Sequence, residues 1–476
     1  MFENEKTQLV VIGAGPGGYA AAFLAADLGL RVTLVDPAEN PGGVCLYRGC
    51  IPSKALLHAA QVVAEIEAGA EWGLTVGKVG VDRGKLKLWK EGIVTQLTGG
   101  LGQLVKRRKI TYLRGRARFI DNRHLEITGP DDQQQDLAFE TAIIATGSLP
   151  TAIPALSVDD PRVWDSTAAL ALESVPGKLL VVGGGYIGLE LGSVYAALGS
   201  RVTVVEMTPD LLPGADRDLV RPLQRRLKGR FEAILTKTMV TGIKAQKNGL
   251  RVHYQAGEEK PQSGLFDAVL VAVGRRPRTA GLGLENTAVV VNERGFIEVD
   301  PQRRTAEAHI LAIGDVAGDP MLAHKASHEG RVAAEVAAGQ RVVYDPAAIP
   351  AVVFTDPEIA WVGLTETEAK AQGIPVSVSK FPWGASGRAL TLGRNEGVTK
   401  LIADPETQRI LGVGMTGPGA GEMIAEGGLA IEMGANAMDL GLTIHPHPTL
   451  SETLMEAADA IFGTATHVYK PPKKKK

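Results

Sequence analysis

The chain contains only two cysteines, Cys45 and Cys50, in the run Gly42-Gly43-Val44-Cys45-Leu46-Tyr47-Arg48-Gly49-Cys50-Ile51-Pro52-Ser53-Lys54. Pro52 and the alanine- and leucine-rich stretch behind it predict a helix starting near Cys50. A thiolate there is favoured, because the partial positive charge of a helix N-terminus lowers a thiol's pKa. The four intervening residues include Gly49 and leave the backbone free to close a small disulfide ring. So short a ring stabilises a fold less than one that closes a long loop. A structural disulfide framework would bring more cysteines, and half a zinc site would need a second Cys or His pair at finger-like spacing. The pair therefore predicts thiol–disulfide chemistry in a reducing compartment.

A duplicated pattern supplies the elements that must position this dithiol. Gly13, Gly15 and Gly18 follow one apolar run, and Gly183, Gly185 and Gly188 follow another. Each G-x-G-x-x-G opens an apolar helix that stops at Gly29 or Gly199, 16 residues past the first glycine. Each helix leads into a strand that ends in an acid, Asp36 or Glu206, 23 residues past that glycine. The first glycine permits the strand-to-helix turn, the second admits a diphosphate, and the third lets the helix pack on the sheet. Free N–H groups at the helix start face the phosphates. The acid accepts from a ribose 2′-hydroxyl and would repel a 2′-phosphate. Two copies in register predict two bound dinucleotides.

Bulk properties agree with an ordinary soluble globular protein. At 476 residues the chain is too long for one domain, and 45% apolar with 22% charged residues is unexceptional. A net charge of −2 gives no reason to expect nucleic acid or membrane as partner. No apolar run is long enough to span a bilayer. The segment before the first strand, with Glu3, Glu5 and Lys6, is too short and too acidic to read as a targeting signal. Thr141–Ser148, Val269–Pro277 and His309–Asp315 read as buried strands running into turns. From about Ile349 a mixed α+β pattern begins, with helices such as Thr365–Gln372. The tail Lys473–Lys476 reads as a solvated end.

The Gly-Gly-x-Cys-x4-Cys-x-Pro-Ser-Lys run, the paired glycine motifs, Met321-Leu322-Ala323-His324-Lys325 and His445-Pro446-His447-Pro448-Thr449-Leu450-Ser451-Glu452 together resemble the flavin-dependent disulfide reductases. The resemblance covers essentially the whole chain and is greatest to the bacterial dihydrolipoamide dehydrogenases. It implies an α/β fold with two Rossmann-like domains, for FAD and NAD, and a C-terminal α+β dimerisation domain. The boundaries expected are 1–149 (FAD and dithiol), 150–278 (NAD), 279–348 (central, completing the FAD site) and 349–476 (interface).

The resemblance also implies roles. Cys45 would be the interchange thiol and Cys50 the thiol against the flavin. Gly13, Gly15, Gly17, Gly18, Asp36, Gly43, Lys54, Ala117, Thr146, Gly147, Asp315 and Ala323 would hold FAD. Lys54 would pair with Glu190. Gly183, Gly185, Tyr186, Ile187, Gly188, Glu190, Glu206 and Gly274 would serve NAD, and no metal is expected. Two histidines on a Pro-rich loop are by themselves unremarkable. The resemblance makes His447 the general base, oriented by Glu452 and supplied by the partner of a homodimer, with His445 as structural support. Such a chain would oxidise dihydrolipoyl groups on the acyltransferase core of 2-oxoacid dehydrogenase complexes, and on the glycine-cleavage lipoyl carrier, in a bacterial cytoplasm. The other readings are a glutathione reductase-like enzyme and a non-enzymatic docking subunit. The first is disfavoured because Glu206 is followed by Met207 and Thr208 rather than by basic residues. The second is disfavoured because every reacting group is intact. Tyr47-Arg48 replaces the family's usual Asn-Val, and His-Pro-His its His-Ala-His, which bears on loop mobility and substrate access.

Overall fold

The computed structural model describes residues 6–77 and 79–469. The leading Glu3 and Glu5 and the Lys473–Lys476 tail lie outside the described residues.

The first glycine motif sits on a parallel sheet. Its strand Lys6–Ile12 runs between Val32–Asp36 and Gln134–Ile144, and Val32–Asp36 in turn pairs with Thr111–Arg114. Leu9, Val10 and Val11 are fully buried, as expected of a strand covered on both faces. Each such side chain contributes about 1.5–3 kcal/mol of burial. The outer parallel strand, Ile310–Ala312, arrives from far along the chain to pair with Gln134–Ile144. The helix behind it, Ala323–Ala337, crosses Pro16–Asp27 at backbone contact. A Cβ on Gly330 would come within 2.4 Å of the Gly17 carbonyl oxygen. The antiparallel strands His124–Thr128 and Arg116–Phe119 complete this sheet.

The second motif lies on its own five-stranded parallel sheet, in the order Ala233–Leu235, Arg201–Val205, Lys178–Val182, Ala268–Val271, Val163–Trp164. The third unit is an antiparallel sheet of five strands between Ala351 and Thr416, with helices Ala420–Glu432 and Glu452–Phe462 packed on it. The expected helix Thr365–Gln372 is present, with Thr365 as its N-cap in a reciprocal capping box with Glu368. A buried ion cluster ties this unit to the second one. The Lys400 ammonium lies 2.8 Å from Asp216 and 2.5 Å from Glu366.

The expected helix starting at Cys50 is present as Cys50–Ala68, but the residues before it are not a loop: they form helix Gly43–Arg48, joined to it across Gly49. Gly49 is required by contact: a Cβ there would sit 2.8 Å from the Val44 carbonyl oxygen. Tyr47 braces the turn before it, its hydroxyl donating to the Asn40 carbonyl at 3.0 Å.

Candidate active site

The two acids are held in the same way. Asp36 accepts from the N–H of Ala14, just after the first glycine, at 2.8 Å, and from that of Ala38 at 2.9 Å. Glu206 accepts from Gly184 and Thr208, the matching positions, at 2.6 Å each. A carboxylate has about four acceptor sites, so both acids keep capacity for a ribose hydroxyl. The glycines divide alike in the two copies. A Cβ on Gly13 or Gly183 would lie 2.4 or 2.3 Å from a carbonyl oxygen of the neighbouring strand's end. A Cβ on Gly18 or Gly188 would run into the first glycine of its own motif. At Gly15 it would meet nothing nearer than 3.9 Å, and at Gly185 nothing within 4 Å. Open space thus occurs where a diphosphate must approach.

In the first copy that space is part of a cavity of about 600 Å³. Gly13, Gly15, Gly17 and Asp36 border one part of it, and Gly43 and Lys54 lie along the dithiol segment. Ala117, Thr146, Gly147, Asp315 and Ala323 close it from other strands and from the start of helix Ala323–Ala337. Gly18 lines none of it and acts as the packing glycine. Of the residues assigned to NAD, Tyr186, Ile187 and Glu190 line this same cavity. Gly183, Gly185, Gly188, Glu206 and Gly274 lie outside it, on the second sheet's own motif and strand end.

Cys45 and Cys50 are both thiols here and both face the cavity. Cys45 donates a hydrogen bond to Cys50; this first, and the Lys54 ammonium with it, outweigh burial and bring the Cys50 pKa down to about 7. The same hydrogen bond, and then burial, push Cys45 up. The two titrate as a pair that shares a proton, with the thiolate on Cys50.

Lys54 is placed by three segments. Its Nζ donates to Glu190 Oε2 at 2.8 Å, and Ser53 Oγ donates to the same oxygen at 3.1 Å. The other Glu190 oxygen accepts the Phe354 N–H at 3.0 Å, and the ammonium lies 4.5 Å from the Phe354 ring centre. Glu190 is only 2% exposed, so its charge is compensated inside the protein by Lys54. Lys54→Met removes the cation beside Cys50. The Cys50 pKa should then rise from about 7 toward the ordinary cysteine value of about 8.5. Thiolate absorbance of the reduced protein as a function of pH measures this, and an unchanged titration would contradict the assignment.

His447 and Glu452 form the expected pair, Nδ1 to Oε1 at 2.8 Å, and Glu452 Oε2 accepts the Thr449 N–H at 2.7 Å. Neither residue lines the cavity. The His447 side chain is 75% exposed and points away from its own chain's core. His445 is instead tucked in, with Nε2 2.8 Å from Glu426 and Nδ1 2.8 Å from the Thr443 carbonyl.

Residues 7–330 match the pyridine nucleotide-disulphide oxidoreductase family, and residues 349–458 match that family's dimerisation domain. The chain belongs to the pyridine nucleotide-disulphide oxidoreductases. It is 48% identical to a Vibrio cholerae dihydrolipoyl dehydrogenase over 476 residues, all of both chains. It is 50% identical to a Thermus scotoductus dihydrolipoyl dehydrogenase over 462 residues, 97% of this chain and 98% of that one. Among solved structures, LpdA of Mycobacterium tuberculosis matches with a TM-score of 0.89 at 25% identity, covering 96% of this chain and 99% of the other. The Cu(II) complex of the Escherichia coli flavoprotein disulfide reductase RclA matches with a TM-score of 0.85 at 31% identity, covering 96% and 99%.

FAD and NAD are the cofactors of this oxidoreductase family, and the open approaches at Gly15 and Gly185 and the capped acids fit them. Sequence reasoning missed the groups that hold the family's Gly-Asp segment in place. Ser148 Oγ donates to Asp315 at 2.5 Å and accepts from Arg275 Nε at 2.7 Å. Glu329, fully buried, accepts the Gly314 N–H at 2.6 Å and is flanked by Arg303 and Lys325. Glu329 is one of two acids on a helix of mixed polar and alanine-rich composition, and nothing in its spacing signals this role. Ser53 could have been found, since it adjoins Lys54 in the signature. No helix among the described residues is long and apolar enough to cross a membrane.

Proposed function

We propose that the chain is a dihydrolipoyl dehydrogenase that oxidises protein-bound dihydrolipoyl groups to the cyclic disulfide and reduces NAD⁺. The observation that carries this reading is the adjacent pair of free thiols, Cys45 and Cys50, on the cavity wall, in a chain about half identical over its full length to enzymes of that name.

The cycle begins with Cys45 and Cys50 joined as a disulfide. The partner's His447 takes a proton from one substrate thiol. The resulting thiolate attacks Cys45 Sγ, forming a mixed disulfide and expelling Cys50 as thiolate, the form its surroundings favour. The second substrate thiol attacks its own neighbour's sulfur and releases Cys45 as a thiol, leaving lipoyl disulfide and a reduced dithiol. Bound FAD supplies the relay by which this electron pair reaches NAD⁺ as hydride. Lys54 and Glu190 hold a compensated charge beside that relay. Gly13, Gly15 and Gly17 with Asp36, Gly43, Ala117, Thr146, Gly147, Asp315 and Ala323 bind FAD, and Gly18 packs the helix of that glycine motif. Gly183, Gly185, Gly188, Glu206 and Gly274 bind NAD, with Tyr186 and Ile187 between the two cofactors.

Two copies of the chain form the working unit, since His447 stands apart from its own dithiol. The domain limits fall at 149, 278 and 348. The partners are lipoyl-bearing acyltransferase cores and the glycine-cleavage lipoyl carrier, in a bacterial cytoplasm.

The direct test is NAD⁺ reduction by dihydrolipoamide, with NADP⁺ run alongside. Glu206 is 8% exposed and would face a 2′-phosphate with like charge. NAD⁺ should be preferred by about 100-fold or more in kcat/KM. Bound FAD without turnover would refute the substrate, and equal use of NADP⁺ would refute the role of Glu206.

A further inference from the structure

The cavity wall carries a charge imbalance that the reaction does not use. Arg48, Arg116 and Arg278 all line it, on the dithiol helix, on strand Arg116–Phe119 and just after strand Arg275–Pro277. Among the described residues none of these three guanidinium groups has a hydrogen-bond or ion-pair acceptor across the cavity. Arg116 and Arg278 lie on no acid there, and Arg48 has no hydrogen-bond or ion-pair partner among the described residues. Arg275, by contrast, is paired with Ser148 through Nε at 2.7 Å and through NH2 at 2.9 Å. The acid whose charge reaches Arg278 is Asp36, and its two oxygens already serve the Ala14 and Ala38 N–H groups. Burial, then the charges of Arg116 and Arg48, push the Arg278 pKa down, and only Asp36 opposes them. Arg278 is half-buried, whereas Arg48 and Arg116 are exposed on the same wall, and like charges set beside a half-buried guanidinium favour an anion among them.

We infer that Arg48, with Arg116 and Arg278, binds the diphosphate of the dinucleotide that occupies this cavity, so that a residue of the dithiol helix itself holds the cofactor. This rests on the reading that the cavity takes FAD. A diphosphate carries two negative charges and pairs of non-bridging oxygens that suit the planar guanidinium fork. Arg48 lies three residues from Cys45 on the same short helix, so a bound diphosphate also fixes the segment that carries the interchange thiol. This gives a positive purpose to the Tyr47-Arg48 pair. Both residues line the cavity: Tyr47 fixes the segment through its hydroxyl on the Asn40 carbonyl, and Arg48 supplies the charge.

The test is the rate at which the holoenzyme releases FAD on dilution, followed by flavin fluorescence at rising salt, for wild type, Arg48→Gln and Arg48→Lys. Arg48→Gln should release FAD about tenfold faster at low salt, the effect of losing one charge-assisted contact. Its release should also respond less to added salt, because fewer charges remain to be screened. Arg48→Lys should lie between the two. Faster release with unchanged salt dependence would mean a packing defect and would overturn the proposal, as would release at the wild-type rate. A purified protein without flavin absorbance would instead refute the FAD reading, which separates the two failures.

Discussion

Cys45→Ser should abolish dihydrolipoamide oxidation while leaving NADH oxidation by an artificial acceptor such as ferricyanide. Serine nearly matches cysteine in size, so the helix Gly43–Arg48 and the cavity it lines should survive the change. The hydroxyl, however, cannot form the disulfide with Cys50, and without it the substrate thiolate has no sulfur to attack. Electron flow from NADH through the flavin needs neither thiol. The two assays on one preparation thus separate loss of the dithiol from loss of the fold. Appreciable dihydrolipoamide turnover in this variant would remove Cys45 from the mechanism.

His447→Gln should lower dihydrolipoamide turnover by about 10²- to 10⁴-fold, the usual contribution of a positioned general base. Glu452 keeps its charge. Burial raises its pKa, but the Thr449 N–H and His447 outweigh that and hold it below the ordinary carboxylate value. An ionised Glu452 accepting from Nδ1 leaves Nε2 free to take a proton. Ferricyanide reduction should again be spared. Mixing the His447→Gln and Cys45→Ser proteins tests where the base comes from. If each site takes Cys45 from one chain and His447 from the other, every mixed dimer has one intact site. Random exchange of subunits should then restore about a quarter of wild-type activity. No recovery from two inactive parents, under conditions that exchange subunits, would show that base and thiol belong to the same chain.

What the chain's order determined by itself was the local chemistry. The dithiol, the helix starting at Cys50, both glycine motifs and their terminal acids depend on residues close in sequence. Their meaning follows from spacing and from the rules of helix starts and tight turns. His447 and Glu452 are likewise only five apart, and the hydrogen bond between them follows from that.

The tertiary structure decided everything that depends on which distant backbone comes alongside. The strand Ile310–Ala312 joins the first sheet only because a parallel edge was left open at Gln134–Ile144. That pairing carries Asp315 to Ser148 and Arg275, and Glu329 to Gly314. The dithiol segment is helical where a flexible loop was expected, because Gly43 must lie against Gly15 and Gly49 against Val44. Three arginines from three elements meet around one cavity, which no local pattern announces. Local motifs are written in neighbouring residues, whereas burial, charge compensation and register arise only when separate segments close on one another.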